Sequence, residues 1–405
     1  MRKPAKKLVI NNETQLKIMN TRTYSAKTFS FITLIALTTS PALAGGNEKS
    51  SHSNAHDHAN YHTGHHTGHH TGHHTPQHPE SHTTTHAPIG VMGDHMHHVG
   101  KWMISLRQMR MEMSGNKIGS DNVNDSEILI IPNTNAMMPM NLRVVPQEMA
   151  MDMTMLGVMY APSENLTLMA MTGYVQKTMR LTSYNMMGMR LGDFETKSEG
   201  LGDTTITALI RGQKTASSQI HYALGLSLPT GDIEKTDTLL TPMNTRIVAR
   251  LPYAMQTGSG SYDFKPALTF NRQLENYNFG GQISAIIRLN DNDADYRLGN
   301  LFSVQSWVSK TLSPTLSASL RLKGTSEEKI DGRDALIDKP VQSADPNFYG
   351  GERLTLGIGL NITPQSGALA QKRLGIEVNG PIYEKLNGPQ MSRDWSLTLG
   401  FQNSF

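Results

Sequence analysis

The chain of 405 residues contains no cysteine. That absence excludes disulfide frameworks, cysteine zinc sites, iron–sulfur clusters, cysteine nucleophiles and a lipid-modified cysteine anchor. Charged residues are scarce at 18% and the formal net charge is only +3. So mild a balance, with no basic patch interleaved with aromatics, excludes a nucleic-acid partner. Phosphate loops, dinucleotide fingerprints and zinc-protease motifs are all missing. No stretch reaches the roughly 18 uninterrupted apolar residues of a membrane helix. If the exported chain meets a membrane, it does so with something other than helices.

What is plentiful is histidine, at 17, and methionine, at 25. Sixteen of the histidines lie between His52 and His98, and twenty of the methionines between Met92 and Met189. Ahead of both, the basic residues Arg2, Lys3, Lys6, Lys7, Lys17, Arg22 and Lys27 precede an apolar core from Phe29 to Leu37. Ala42 and Ala44 then supply a small-residue cleavage pattern, so residues 1–44 read as a secretory signal peptide, with Met19 an alternative start of more ordinary length.

Residues 45–98 offer almost nothing to build a core and are expected to form a disordered His-rich tether. A His-Thr-Gly unit repeats there, carrying His62, His65, His66, His69, His70, His73 and His74. Paired imidazoles on so flexible a backbone can wrap zinc, copper or nickel without a preformed fold. The plainer alternative is a solvated spacer expanded by repeat slippage. A second cluster, His95, Met96, His97 and His98, adds a thioether, which favours Cu(I) or Ag(I) over zinc.

From residue 99 onward the chain alternates. Leu354, Leu356, Ile358, Leu360 and Ile362 are interleaved with Thr355, Gly357, Gly359, Asn361 and Thr363, and similar patterns recur along the chain. About twelve strands are expected, near 101–113, 147–160, 165–181, 198–212, 218–228, 261–272, 277–289, 298–310, 315–325, 351–363, 372–380 and 392–405. Short connections such as Gln273–Asn276 take turns with long polar ones such as Thr230–Gly260. Apolar-out, polar-in alternation with tight turns at one end predicts an all-β fold, a transmembrane antiparallel β-barrel of the bacterial outer membrane over residues 99–405. A soluble sandwich would not need the short-long rhythm. The last strand, with Trp395, Leu397, Leu399, Phe401 and Phe405 on one face, resembles the C-terminal sorting pattern of such barrels, from which Asn403 departs.

The same parity places the methionines. Met103, Met109, Met111 and Met113 oppose Trp102, Ile104 and Leu106; Met149, Met151, Met153, Met155 and Met159 oppose Leu156, Val158 and Tyr160; Met169, Met171 and Met179 oppose Leu166, Leu168 and Tyr174. If aliphatics face lipid, a thioether ladder faces the lumen and offers exchangeable soft-metal sites. The alternatives are methionine as a flexible filler of a narrow barrel, or an inverted parity. His221 is the only histidine after residue 98, and with no companion at triad spacing it predicts no enzyme.

Three segments carry a resemblance: Gly200-Leu201-Gly202-Asp203, then Leu224 to Asp232, then Leu251 to Asp263. With them the region from about residue 98 onward resembles a bacterial outer-membrane family labelled "MetA-pathway of phenol degradation". The stretches Gly93–His98, Lys101–Met103 and Met155–Pro162 look like a methionine-rich branch of it. The resemblance implies a barrel that passes a small solute. The expected function is thus an outer-membrane channel linked to transition metals, copper first, as Cu(I), Cu(II), Ag(I), Zn or Ni ions, with no resident cofactor required. Its expected partners are membrane lipid, the solute or metal, and a periplasmic protein. A channel for small aromatic or hydrophobic compounds is the second reading, and a non-transporting barrel that binds a partner through its loops is the third.

Overall fold

Period-two patterning persists over a long strand only where the two faces meet different surroundings. The computed structural model describes residues 86–134, 138–370 and 372–405, and its strands have lipid on one face and a lumen on the other. They are β1 (Trp102–Gly119), β2 (Val144–Ser163), β3 (Leu166–Tyr184), β4 (Thr204–Lys214), β5 (Ser218–Leu228), β6 (Asp263–Gln273), β7 (Tyr277–Arg288), β8 (Leu301–Ser313), β9 (Leu316–Glu327), β10 (Gly351–Ile362) and β11 (Arg373–Ser404). Each pairs antiparallel with its neighbours in sequence, and β11 closes the ring on β1. The last run supplies two staves. Leu374 to Leu386 pairs with β10, and Leu386 to Ser404 pairs with β1. A ring of antiparallel neighbours needs an even number of crossings, so the chain reverses just beyond Leu386. Hydrogen bonds across that reversal, Arg373 to Gln402 at 2.9 Å and Ser392 to Glu384 at 2.6 Å, join the two halves.

The outer face is aliphatic and aromatic. Ile104, Leu106, Leu168, Leu224, Ile283, Leu320 and Val378 all project outward, and Ile358 is 63% exposed. Inward positions of the same strands hold buried Ser303, Gln305, Ser317, Arg321, Asn361 and Glu377. No helix among the described residues is long and apolar enough to cross a membrane, and strands make the crossing. Closure of β11 on β1 removes the free edges of the ring, so its strands pair with a neighbour on both sides. The protein is a β-barrel of the bacterial outer membrane. At the rim, Trp102 stacks on Tyr160 with ring centroids 4.5 Å apart, as in an interfacial aromatic girdle. Beside it, Phe405 exchanges two backbone hydrogen bonds of 2.9 Å with Trp102. Ile358→Arg on the lipid face is expected to cost about 2–4 kcal/mol of folding free energy, measurable by urea unfolding in vesicles.

Two expectations change. The strand foreseen at 198–212 is split: Arg190–Leu201 extends β3 beyond the membrane, and β4 starts afresh at Thr204. Asp203 lies in the break, and its carboxylate is engaged by the neighbouring loops. Residues 86–98, foreseen as part of the disordered tether, are placed inside the barrel and bonded to its wall. His62, His65, His66, His69, His70, His73 and His74 lie outside the described residues, as does the signal segment.

The short connections β2–β3, β4–β5, β6–β7 and β8–β9 share one end, the periplasmic one by the usual arrangement of such barrels. At the other end the long loops pack together. Tyr253, Tyr296 and Tyr349 meet edge to face, with centroids 4.7 and 5.8 Å apart, over a cluster that includes Leu251, Met255, Ile337 and Ala344.

Candidate functional site

Residues 86–98 run through the periplasmic half of the lumen, where the ring reaches them from nearly every side. Ser309 of β8 donates to the His86 carbonyl at 3.0 Å, and Arg373 of β11 donates to that of Ala87. Gln282 of β7 donates to the Met92 carbonyl at 3.0 Å, His221 Nε2 of β5 to Gly93 at 2.8 Å, and Asn271 of β6 to Asp94 at 2.6 Å. The His97 amide donates to Thr167 of β3, while Arg107 of β1 meets the Met92 sulfur. Only a segment inside a closed ring can be grasped by so many strands, so this is a plug. His221 is one of its grips.

Apolar contacts seat it. Ile89 is 1% exposed and rests where Gly375 and Gly400 leave the wall bare; a Cβ at either glycine would overlap it. Ala87 and Val91 pack on Trp307. Burying Ile89 and Val91 contributes about 1.5–3 kcal/mol each. The Gly90 amide donates at 2.7 Å to Glu377, whose other oxygen accepts from Arg321 at 2.7 Å. Arg321 also donates to Gln305 and Asn379, both at 3.0 Å. Glu377 is fully buried, so the plug is fastened to a satisfied charge network in the wall.

Beside the plug and above it, the methionines of β1, β2 and β3 face inward, most of them opposite one another. Met103 pairs with Met159, Met109 with Met153, Met111 with Met151 and Met113 with Met149. On the other side of β2, Met159 pairs with Met169 and Met149 with Met179. Opposed side chains on one face have Cβ atoms about 4.5–5.5 Å apart, so each pair sets two thioethers side by side. Met155 and Met171 share this face, opposite Arg107 and Gly157. Thioethers at that spacing can hold Cu(I) or Ag(I).

Plug and wall meet. Met96 packs against the cluster of Met103, Met159 and Leu209 together with Met169. The His95 ring lies edge-on to His97 at 4.9 Å and to His86 at 5.4 Å, and His95 Nδ1 is 2.8 Å from Asp94 Oδ1. Burial pushes the His86 imidazole well below its ordinary value, and the Arg373 charge adds to the effect. Burial, then His95, takes His97 down to about 3. Both rings are therefore neutral at pH 7. His98 stays at the surface, 3.3 Å from Glu164. The sequence pattern gave no sign of His86 or Asp94 as partners of His95, because the turn that joins them has no periodicity. Met149 and Met179 share the ladder's parity, and parity is the signal that finds them.

Asp203 ties the extracellular loops to the ring. Its Oδ1 accepts from the Gly231 amide at 3.0 Å, and its Oδ2 accepts from the Ser259 amide at 2.8 Å and hydroxyl at 2.7 Å. Gly231 and Gly258 touch backbone to backbone there, and a Cβ on Gly231 would stand 2.5 Å from the Gly258 Cα. Thus Gly200–Asp203, Leu224–Asp232 and Leu251–Asp263, far apart in the chain, converge on one carboxylate.

These segments fall within residues 159–378, which match the family model described as "Putative MetA-pathway of phenol degradation". The chain belongs to this family. Among solved structures it is similar to an outer membrane channel from Pseudomonas putida F1, at 16% identity and a TM-score of 0.52 over 78% of this chain and 100% of that one. It is also similar to the beta domain of the Bordetella autotransporter BrkA, at 11% identity and a TM-score of 0.41 over 76% of this chain and 100% of that one. The first is a likeness of fold. No curated protein matches the chain.

Proposed function

We propose that this barrel is a channel for a small solute and that its cargo is a soft metal ion, Cu(I) or Ag(I). The observation that carries the reading is the set of opposed methionine pairs at Met103 and from Met109 to Met113, bridged by single thioethers of Met171 and Met155, which puts a thioether at each of these inward levels. A chain of weak, similar sites lets an ion enter, exchange and leave, which a single tight site would prevent. The channel resemblance of the fold supports passage, and the ligand chemistry supports the ion.

The test uses the full chain refolded in vesicles. Replacing Met109, Met111, Met151 and Met153 with Leu conserves volume, and such swaps cost less than about 1.5 kcal/mol each. The variant should keep its fold and lose Ag(I) binding by about tenfold or more, a change of about 1.4 kcal/mol, because the soft ligands are gone. Unchanged Ag(I) affinity would overturn the reading. One observation favours a second cargo. A cavity of about 200 Å³ toward the outer end is lined by Met113, Met149, Met179, Tyr349, Arg353 and Arg393. Lys177 and Glu327 also line it, with Glu327 3.6 Å from Arg353, and the surplus of cationic groups beside thioethers and an aromatic ring fits a small aromatic compound with an acidic group. Benzoate flux into the same vesicles, retained in the four-leucine variant, would favour that cargo.

A further inference from the structure

We propose that His86, Asp94 and His95 form a site for a borderline divalent cation of the Zn(II), Cu(II) or Ni(II) class, which clasps the plug inside the lumen. One ligand atom from each residue lies within 4.8 Å of the others. Bonds of about 2.0–2.1 Å place tetrahedral ligands about 3.3 Å apart. Rotation of the two imidazoles closes that difference.

The backbone has already brought the ligands together. A turn between the Pro88 carbonyl and the Val91 amide, 2.9 Å, folds the His86 arm back toward Asp94 and His95. Strand contacts on both arms hold that turn, so the cost of ordering the ligands falls on the fold and not on the ion. A second observation points the same way. His97, 9% exposed, packs its ring on His95, and its Nε2 is buried without a hydrogen-bond partner. It leaves a further unpartnered imidazole nitrogen beside the cluster. Two imidazoles and a carboxylate select a borderline ion, whereas the methionine wall selects a soft one. Arg373, 3.9 Å from Asp94 Oδ2, faces the side of the carboxylate away from His95 and tempers the affinity. A cation here cross-links the two arms of the plug, so that withdrawing the segment requires losing the ion.

The inference does not depend on soft-ion passage, since it concerns other ligands and other ions. It is tested on the full chain by hydrogen exchange with and without Zn(II), which locates the effect along the sequence even though the His-rich stretch before residue 86 also offers imidazoles. Amides of residues 86–95 should exchange about tenfold more slowly when Zn(II) is present at about ten times its dissociation constant, since a bound ion stabilises the closed segment by mass action. His86→Ala should abolish the slowing, and His98→Ala, beside the site but bonded to Glu164, should preserve it. Should the His86 variant fail to fold, the unmutated chain still decides. Exchange in 86–95 that Zn(II) leaves unchanged would overturn the clasp, whatever Ag(I) does at the methionine wall.

Discussion

Deleting residues 86–98, with Thr85 joined to Val99, should convert a nearly silent barrel into a conducting one. The segment is gripped by β1, β3, β5, β6, β7, β8 and β11, and it fills the periplasmic half of the lumen. Removing it leaves Ser309, Gln282, Asn271 and His221 facing water, which satisfies their polar groups. The barrel itself should survive, because its closing pairs between β1 and β11 do not involve the plug. Single-channel recording in planar bilayers is the measurement, and conductance should rise several-fold at least. Conductance equal to that of the intact chain would assign the barrier to the outer loops around Tyr253, Tyr296 and Tyr349. It would also remove the plug from the mechanism.

Glu377→Ala should be the most damaging single substitution in the wall. Glu377 is fully buried and ion-paired with Arg321 at 2.7 Å, and it also accepts the Gly90 amide. Truncation strands a guanidinium that is itself 8% exposed. Breaking a buried pair from one side costs about 3–5 kcal/mol, most of it the desolvated charge left behind. Urea unfolding in vesicles measures the loss, and a value under about 1 kcal/mol would show that lumen water solvates Arg321 freely. Removing both partners, Arg321→Met with Glu377→Leu, should recover much of the stability, since no unpaired charge then remains. The double variant should still bind the plug more weakly, because Gly90 loses its acceptor.

Much of this fold is legible along the chain because lipid and lumen impose opposite demands on alternate residues. Leu354 to Thr363 can satisfy both only as a strand, and the methionines of β1 to β3 can share neither the face of Trp102 and Ile104 nor that of Leu156 and Tyr160. The strands run further than the alternation, β1 to Gly119 and β3 to Tyr184. Beyond the membrane both faces meet water or loops, so the pattern fades while the hydrogen bonds continue.

The sequence by itself determined the alternating strands of a barrel, its closing strand and the opposition of a methionine face to an aliphatic one, since each follows from a local period of two read one strand at a time, while the closed ring decided that the aliphatic face is outward. Tertiary structure alone decided that residues 86–98 enter the lumen, that His86 meets Asp94 and His95, that Glu377 fastens Gly90, and that Asp203 gathers three distant segments. Those contacts join residues separated by up to 287 positions. No local period encodes them, because a polar, glycine-containing segment has no face of its own until the ring closes around it.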